Sequence, residues 1–340
     1  MKSRDKKSFD KKSLATSRLR HLAVLAICAA MVAGVSGCGL QNANGFIAPA
    51  GPGSIKKYDS LSGVKITVGA KDFTEQLILG NMLATVLQTA GADVTNRTNI
   101  AGSNGLRNAQ LNGTVDISAD YTGTGWISYL LHDNPVKGER EQWLATAKED
   151  KAKNKLIWLK PAPLNNTYAF AMGPAATKKL KITKLSQIKD LPVDQRTFCV
   201  EDEFYSRNDG FGPMLKAYGL KLGDSVPDKQ VTRLDTGVVY NSTAEGKCNF
   251  GEVFTTDGRI PALKLTSLED DKDFFPLYNV TEIIGEKLLT AHPELEKIFE
   301  MINPKLTNEV MLGLNAQVDV GGKEPALVAR TWLQDEGLLS

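Results

Sequence analysis

The stretch "VKITVGAKDFTEQLILGNMLATVLQTAG", residues 64–91, places a strand directly before a helix. Its first seven residues, "VKITVGA", are rich in β-branched side chains and predict the strand. Thr74 as N-cap, Glu75 in the first turn and Gly91 as the stop delimit the helix. The apolar residues of the helix follow the spacing of one face: Leu79, Met82, Leu83, Val86, Leu87 and Ala90. Such strand–helix units are typical of α/β folds.

The same alternation recurs along the chain. Further strands are predicted at "TVDISA", "KLIWLK", "TYAFAMG", "RTFCVED", "QVTRLD", "CNFGEVF", "ALKLTSLED" and "YNVTEII". Helical patterns, such as "GWISYLLHD", lie between the strands, and three more helices close the chain. Strands that alternate with helices predict mostly parallel sheets covered on both faces. Two such sets in succession predict an α/β fold with two lobes and a cleft between them.

The first 37 residues have the pattern of an export signal. Lysines and arginines precede an apolar run at residues 22–35, about 14 residues, which is too short for a comfortable bilayer span. The run ends in Val35-Ser36-Gly37-Cys38, which resembles a bacterial lipobox and predicts a lipid on Cys38. An ordinary secreted protein and an uncleaved anchor are the alternatives. Residues 38–63, rich in Gly, Asn, Ser and Pro, predict a flexible tether.

Removal of this leader changes the sign of the net charge. The full chain has a formal net charge of +2. Residues 1–37 hold eight Lys and Arg and two Asp and Glu, which leaves 33 basic and 37 acidic residues, a net of −4. The mature chain therefore has no overall positive charge that would favour nucleic acid binding.

The four cysteines divide between the leader and the folded part. Cys28 lies in the export signal and Cys38 at its end, which leaves Cys199 and Cys248. In an oxidising compartment outside the cytoplasm these two are candidates for a disulfide. The alternative is a pair of buried thiols in neighbouring strands.

Motifs for catalysis, metal binding or cofactor binding are missing from the sequence. The mature chain has only His132 and His292, and no G-x-S-x-G, HExxH or P-loop motif accompanies them. The "GTG" at residues 123–125 lacks the third glycine of a dinucleotide fingerprint. We therefore expect no enzymatic activity, no cofactor and no metal.

Aromatic and cationic residues gather at the corners where predicted strands end. They include Lys71-Asp72-Phe73, Tyr121 in the "DYTGTG" of residues 120–125, Asn166-Thr167-Tyr168, Phe204-Tyr205-Ser206-Arg207, Phe254 and Tyr278. Taken singly, each is more typical of packing or of a surface contact. Their shared position at strand ends, where α/β folds bind small molecules, predicts a ligand site.

The sequence resembles the quaternary-amine binding proteins of ABC importers, from Val64 to Leu339. The resemblance rests on six segments in order: "VGAKDFTEQLILGNMLA", "DYTGTG", "NNTYAFAMG", "EFYSRNDGFGPMLKAYGL", "TTDGRI" and "LEDDKDFFPLYNV". It implies a periplasmic-binding-protein-like (Venus-flytrap) fold of the class II type, with the ligand in the cleft between the lobes. Lobe 1 would comprise residues 64–163 plus 264–340, and lobe 2 residues 164–263.

The resemblance also implies a binding site. An aromatic cage for the trimethylammonium head would consist of Tyr121, Tyr168, Phe254 and Tyr278. The ligand carboxylate would meet Lys71, Thr124 and Arg207, with Asn166 nearby. Phe254 departs from the family, which usually has Tyr there, so a hydroxyl is lost. The "NVTEII" run after Tyr278 departs from the usual Ala-Pro step.

The function implied is capture of glycine betaine or a relative for delivery to ABC permease subunits and their cytoplasmic ATPase. We expect a lipid-anchored, extracytoplasmic bacterial protein that acts as a monomer. Choline, carnitine or ergothioneine are alternative cargoes. An envelope hydrolase and a purely structural lipoprotein are the alternatives from other functional classes.

Overall fold

The computed structural model describes residues 47–48 and 50–340. The export signal, Cys38 and the first part of the predicted tether lie outside these residues. Within the described part, no helix combines the length and the apolar character needed to cross a bilayer.

The described residues form strands and helices in alternation. The strands are β1 (Lys65–Lys71), β2 (Asp93–Ile100), β3 (Ile117–Tyr121), β4 (Leu156–Trp158), β5 (Tyr168–Met172), β6 (Phe198–Glu201), β7 (Val231–Leu234), β8 (Phe250–Phe254), β9 (Thr266–Ser267) and β10 (Val280–Gly285). The helices are α1 (Thr74–Thr89), α2 (Gly102–Leu111), α3 (Glu139–Asn154), α4 (Pro174–Leu180), α5 (Asp202–Ser206), α6 (Phe211–Ala217), α7 (Thr236–Ala244), α8 (Arg259–Ala262), α9 (Glu286–Ala291), α10 (Glu294–Ile302), α11 (Asn308–Asp319) and α12 (Pro325–Asp335).

The strands form two five-stranded sheets, in the orders β2-β1-β3-β10-β4 and β7-β6-β8-β5-β9. In the first sheet β1 is parallel to β2 and β3, while β10 is antiparallel to β3 and β4. In the second sheet β6 is parallel to β7 and β8, while β5 is antiparallel to β8 and β9. Four of the five strands in each sheet therefore run in the same direction, as predicted for mostly parallel sheets. The exception in each sheet is one strand, β10 or β5, that arrives from the other lobe and runs against its neighbours.

The chain crosses between the sheets twice, after β4 and after β9. The two crossings touch, because Asn165 and Asn279 form an antiparallel bridge. β9 pairs with β5 in the second sheet, and Leu268 packs in the second core, although residues from 264 onward were expected in lobe 1. We therefore propose that lobe 2 extends to about residue 275.

Each sheet has its own apolar core. In lobe 1, the core includes α1, which packs against α11 and α12. Ile55 and Leu61 are fully buried in this core, and the backbone N–H of Ile55 donates to the Leu338 carbonyl. The predicted tether is thus folded where it carries these apolar side chains. In lobe 2 the core is dominated by phenylalanines: Phe170, Phe198, Phe204, Phe211 and Phe250.

Cys199 on β6 and Cys248 just before β8 are joined by a disulfide, with Cα atoms 5.6 Å apart. Both residues are buried, and Val239 of α7 packs against them. The bridge fixes the beginning of β8 to β6 inside lobe 2.

Several local expectations differ from the structure. Phe73, rather than Thr74, is the N-cap of α1, and the Thr74 hydroxyl donates to Asp319 Oδ1 at 2.6 Å. The predicted helix "GWISYLLHD" is a single π-helical turn, Gly125–Tyr129. β2 was not predicted, because its sequence "DVTNRTNI" is mostly polar, as suits a strand at the edge of a sheet.

Candidate functional site

A cavity of about 550 Å³ lies between the two sheets. All eight residues predicted for the ligand site line it: Tyr121, Tyr168, Phe254, Tyr278, Lys71, Thr124, Arg207 and Asn166. β1 and β3 bring their carboxyl ends to it from lobe 1, and β8 does so from lobe 2. The parallel strands of both sheets therefore point their carboxyl ends at one space, as ligand sites of α/β folds require.

The aromatic side chains form a continuous array along the cavity. The ring centroids of Tyr121 and Phe73 are 6.3 Å apart, those of Phe73 and Phe254 5.2 Å, and those of Phe254 and Tyr168 5.3 Å. Tyr278 completes the array, edge-on to Tyr168 at 5.4 Å. Phe73 was not among the predicted cage residues, although it follows Lys71 and Asp72 in a strand-end motif. The array therefore has five rings, contributed by both lobes.

A buried carboxylate, Glu75, holds residues of the cavity lining in place through hydrogen bonds. It accepts hydrogen bonds from the Tyr121 hydroxyl at 2.8 Å, Asn166 Nδ2 at 3.0 Å, the Thr256 hydroxyl at 2.5 Å and Asn315 Nδ2 at 3.2 Å. Burial raises the pKa of Glu75, and these hydrogen bonds oppose the rise. Tyr121 and Asn315 belong to lobe 1, Asn166 to a crossing and Thr256 to lobe 2. Glu75 therefore fixes Tyr121 and Asn166 relative to both lobes.

The two cations of the cavity are engaged in buried ion pairs. Lys71 Nζ lies 2.8 Å from Asp120 Oδ1. Arg207 makes a two-pronged pair with Asp209, with Nε to Oδ1 at 2.7 Å and Nη2 to Oδ2 at 2.8 Å. The Arg207 guanidinium carbon is also 5.5 Å from the centroid of the Tyr168 ring. The structure thus brings both predicted cations to the cavity, but each already has a partner.

Acidic residues that were not predicted as ligand contacts also line the cavity: Asp72, Glu201, Glu203 and Asp235. Glu203 stands in the motif "EFYSR", which could have pointed to it. Its carboxylate accepts from the Ser103 N–H at 2.9 Å and from the Ser103 hydroxyl at 2.5 Å. Four acidic and two basic residues give the cavity lining an excess of negative charge, which favours a cation.

Phe254 and Thr124 present different surfaces to the cavity. The Phe254 ring lies between those of Phe73 and Tyr168, and its N–H donates to the Tyr240 hydroxyl at 2.8 Å. Phe254 therefore offers only an aromatic face. Thr124 Oγ1 has no hydrogen-bond partner among the residues that the structure describes, although Thr124 is only 3% exposed.

In chemical terms, the cavity can hold a small cation against aromatic faces. Among the described residues, no group of three His, Cys, Asp or Glu side chains is placed to hold a metal ion.

The chain is similar in sequence and structure to known transport proteins. A family model for the substrate-binding domain of ABC-type glycine betaine transport systems matches residues 64–335. The chain is 35% identical over 282 residues to the glycine-betaine-binding protein of Pseudomonas aeruginosa, covering 81% of this chain and 88% of that protein. It is 31% identical over 274 residues to the ergothioneine transport permease/ergothioneine binding protein of Helicobacter pylori, covering 80% of this chain and 48% of that protein. The crystal structure of a glycine betaine/carnitine/choline ABC transporter gives a TM-score of 0.65 at 30% identity, covering 80% of this chain and 98% of that chain.

Proposed function

Because this chain belongs to the family of substrate-binding domains of ABC-type glycine betaine transport systems, we propose that it captures a quaternary ammonium solute for a membrane permease. The observation that carries the proposal is the five-ring array of Tyr121, Phe73, Phe254, Tyr168 and Tyr278 along a single cavity. These rings would surround the ligand's head group.

The chemistry of a trimethylammonium group suits such a site. The group is positively charged but has no N–H, so it cannot donate a hydrogen bond to a carboxylate. Aromatic faces attract it electrostatically and pack against its methyl groups, with roughly 0.5 to 2 kcal/mol for each desolvated contact. The negative charge of the cavity lining adds longer-range attraction.

The division of the rings between two lobes supports a closure mechanism. Tyr121 belongs to β3 of the first sheet, whereas Tyr168 and Phe254 belong to β5 and β8 of the second. A ligand that contacts all of them binds the closed form better than an open one and so shifts the population towards closure. The closed form would be the one recognised by the permease.

We further propose that the protein works outside the cytoplasm, held to the membrane by lipid on Cys38, as a monomer without catalytic activity. The lipobox-like sequence at residues 35–38 supports the anchor, and the family supports the extracytoplasmic location. The permease and its ATPase would then be the partners.

The cargo has more than one candidate. The relative from Helicobacter pylori is named for ergothioneine and one from Listeria monocytogenes for carnitine. Both compounds carry a trimethylammonium group, so the same aromatic array would receive them.

Titration calorimetry of the purified domain tests the proposal. We expect micromolar binding to at least one of glycine betaine, carnitine, choline, proline betaine and ergothioneine. A micromolar Kd corresponds to a binding free energy of about −8 kcal/mol. Glycine and ethanolamine, which lack the methyl groups, should bind far more weakly. Tyr168→Ala should weaken binding, whereas Tyr205→Ala, outside the cavity, should not. No heat with any of the five solutes would refute the proposed function.

A further inference from the structure

The segment "TTDGRI", residues 255–260, follows the cage residue Phe254 and lies against lobe 1. We call its residues 256–259 the interlobe turn. The Thr256 hydroxyl donates to Glu75 of α1 at 2.5 Å, and the Thr256 carbonyl accepts from Asn315 Nδ2 of α11 at 2.9 Å. Thr256 itself is fully buried. The turn is thus held against two helices of lobe 1, although it belongs to lobe 2.

Gly258 brings the interlobe turn into direct contact with the backbone of α11. A Cβ atom at position 258 would fall 2.6 Å from the Cβ of Ala316 and closer still to the Ala316 backbone. Carbon atoms that are not bonded to each other pack at about 3.5 to 4.0 Å. Gly258 has a φ of −65°, which any residue can adopt. Glycine is therefore required here by the contact with lobe 1 and not by the backbone conformation.

Within lobe 2, Arg259 couples the interlobe turn to Phe254. Its guanidinium pairs with Asp257, with Nε to Oδ1 at 2.9 Å and Nη2 to Oδ2 at 2.5 Å. The guanidinium carbon lies 4.3 Å from the centroid of the Tyr240 ring, and the Tyr240 hydroxyl accepts from the Phe254 N–H. The Asp257 N–H also donates to the Phe254 carbonyl at 3.0 Å. A displacement of the turn would therefore displace Phe254 as well.

In lobe 1, Asp319 at the end of α11 faces the same guanidinium. Asp319 Oδ2 lies 3.7 Å from Arg259 Nη2, and Asp319 Oδ1 accepts from the Thr74 hydroxyl at 2.6 Å. Thr74 is the first residue of α1 and directly follows Phe73, whose ring centroid is 5.2 Å from that of Phe254. The turn thus contacts lobe 1 next to the place where rings of the two lobes meet.

We propose that the interlobe turn is a positioning element of the aromatic cage. Its fit against α11 places Phe254 of lobe 2 at contact distance from Phe73 of lobe 1, and the missing side chain of Gly258 makes that fit possible. The inference rests on the proposed function and adds to it residues that act through the rings, since none of residues 256–259 lines the cavity. Separation of the two rings should weaken every ligand of the cage.

Calorimetric titration of Gly258→Ala with glycine betaine, carnitine, choline, proline betaine and ergothioneine tests this inference. The added methyl group would overlap α11, so each solute that the wild type binds should bind about tenfold or more weakly. The factor should be similar for all of these solutes, because the variant changes the spacing of the lobes and keeps every side chain that lines the cavity.

Matched variants separate the interlobe contact from a general effect on folding. Gly212→Ala adds the same methyl group in α6 of lobe 2, where the new Cβ would meet no atom of another described element within 4 Å, and should leave affinity unchanged. Thr256→Val removes the hydroxyl that donates to Glu75 and should weaken binding, whereas Thr256→Ser keeps the hydroxyl and should retain most of the affinity. Thermal unfolding establishes which variants are folded, and the Thr256 pair decides the test if Gly258→Ala is not.

Hydrogen–deuterium exchange without ligand gives a second readout. The amides of α11 around Asn315 and Ala316 should exchange faster in Gly258→Ala than in the wild type, because the turn no longer covers them. Gly212→Ala should match the wild type there. This measurement does not depend on which solute the cage receives.

The outcomes distinguish this inference from the proposed function. Unchanged affinity in a folded Gly258→Ala variant would overturn the inference alone. So would a loss of affinity confined to one solute, because residue 258 would then act on that ligand and not on the spacing of the lobes. Failure of the wild type to bind any of the five solutes would overturn the proposed function. Faster exchange would even then support the contact of the turn with α11, and unchanged exchange would overturn it.

Discussion

Replacement of Glu252 by Gln should change how the stability of the protein depends on pH. Glu252 lies on β8, is 3% exposed, and its Oε2 accepts from the backbone N–H of Glu201 at 2.9 Å. Burial, and then the negative charge of Glu201, raise the pKa of Glu252 from 4.5 to about 8. The folded protein therefore keeps this proton at neutral pH, whereas the unfolded chain releases it.

The sign and the magnitude follow from this shift. Between about pH 4.5 and pH 8 the folded state binds more protons at this site than the unfolded state, so stability falls as pH rises through this window. At 1.36 kcal/mol per pKa unit, the stability lost by pH 8.5 is about 3 to 5 kcal/mol. A glutamine side chain at this position would resemble the protonated form of Glu252 and would not titrate. Glu252→Gln should thus be close to wild type at low pH and more stable than wild type at pH 8.5.

Urea unfolding followed by circular dichroism at pH 4.5, 6.5 and 8.5 measures the effect. Glu245→Gln serves as a control, since the Glu245 side chain is 63% exposed and the change in formal charge is the same. The difference in unfolding free energy between Glu252→Gln and wild type should grow with pH, and the control should show no such growth. Parallel pH profiles for wild type and Glu252→Gln would refute the reasoning.

Two further predictions concern the cage and the disulfide. Tyr121→Ala should weaken ligand binding by about 1 to 3 kcal/mol, because it removes a desolvated aromatic face. Tyr121→Phe keeps that face but removes the hydrogen bond that the Tyr121 hydroxyl donates to buried Glu75. Calorimetry should therefore show nearly unchanged affinity, while urea unfolding should show a free energy of unfolding lower by about 1 to 3 kcal/mol. Loss of affinity in both variants would contradict the assignment of Tyr121 to the cage. Replacement of Cys199 and Cys248 by Ala should lower the free energy of unfolding by about 4 kcal/mol, because the disulfide closes a loop between residues 49 positions apart and so limits the entropy of the unfolded chain. Thiol labelling of the oxidised, unfolded protein should find neither of these two cysteines reactive, and two reactive thiols would refute the bridge.

Local patterns predicted the α/β class and most elements well. The apolar spacing in residues 74–91 predicts α1 because that helix must cover a sheet along one face. Pro325 begins α12 as predicted, since proline lacks only an N–H that the first helical turn does not use. β2 was not predicted, because an edge strand with mostly polar side chains lacks the alternation of apolar and polar residues by which strands are identified.

The direction of the crossing strands and the ion pairs of the cavity could not be predicted in this way. Whether β5 and β10 run parallel or antiparallel to their neighbours depends on where the chain enters each lobe, which no window of residues encodes. Glu203 meets Ser103 across 100 residues of sequence. The positions of eight residues at strand ends were enough to predict that they share one cavity. The ion pairs of Lys71 and Arg207 with buried carboxylates could not be predicted, because they depend on long-range packing.

The composition of the aromatic array determines whether intrinsic fluorescence can detect ligand binding. The array holds only Tyr and Phe, and none of the chain's four tryptophans lines the cavity: Trp126, Trp143, Trp158 and Trp332. All four lie on elements of lobe 1. Intrinsic tryptophan emission would therefore sense an occupied cage only indirectly. A tryptophan introduced at Phe254 would place an indole between the neighbouring rings and give the cage an emission signal of its own.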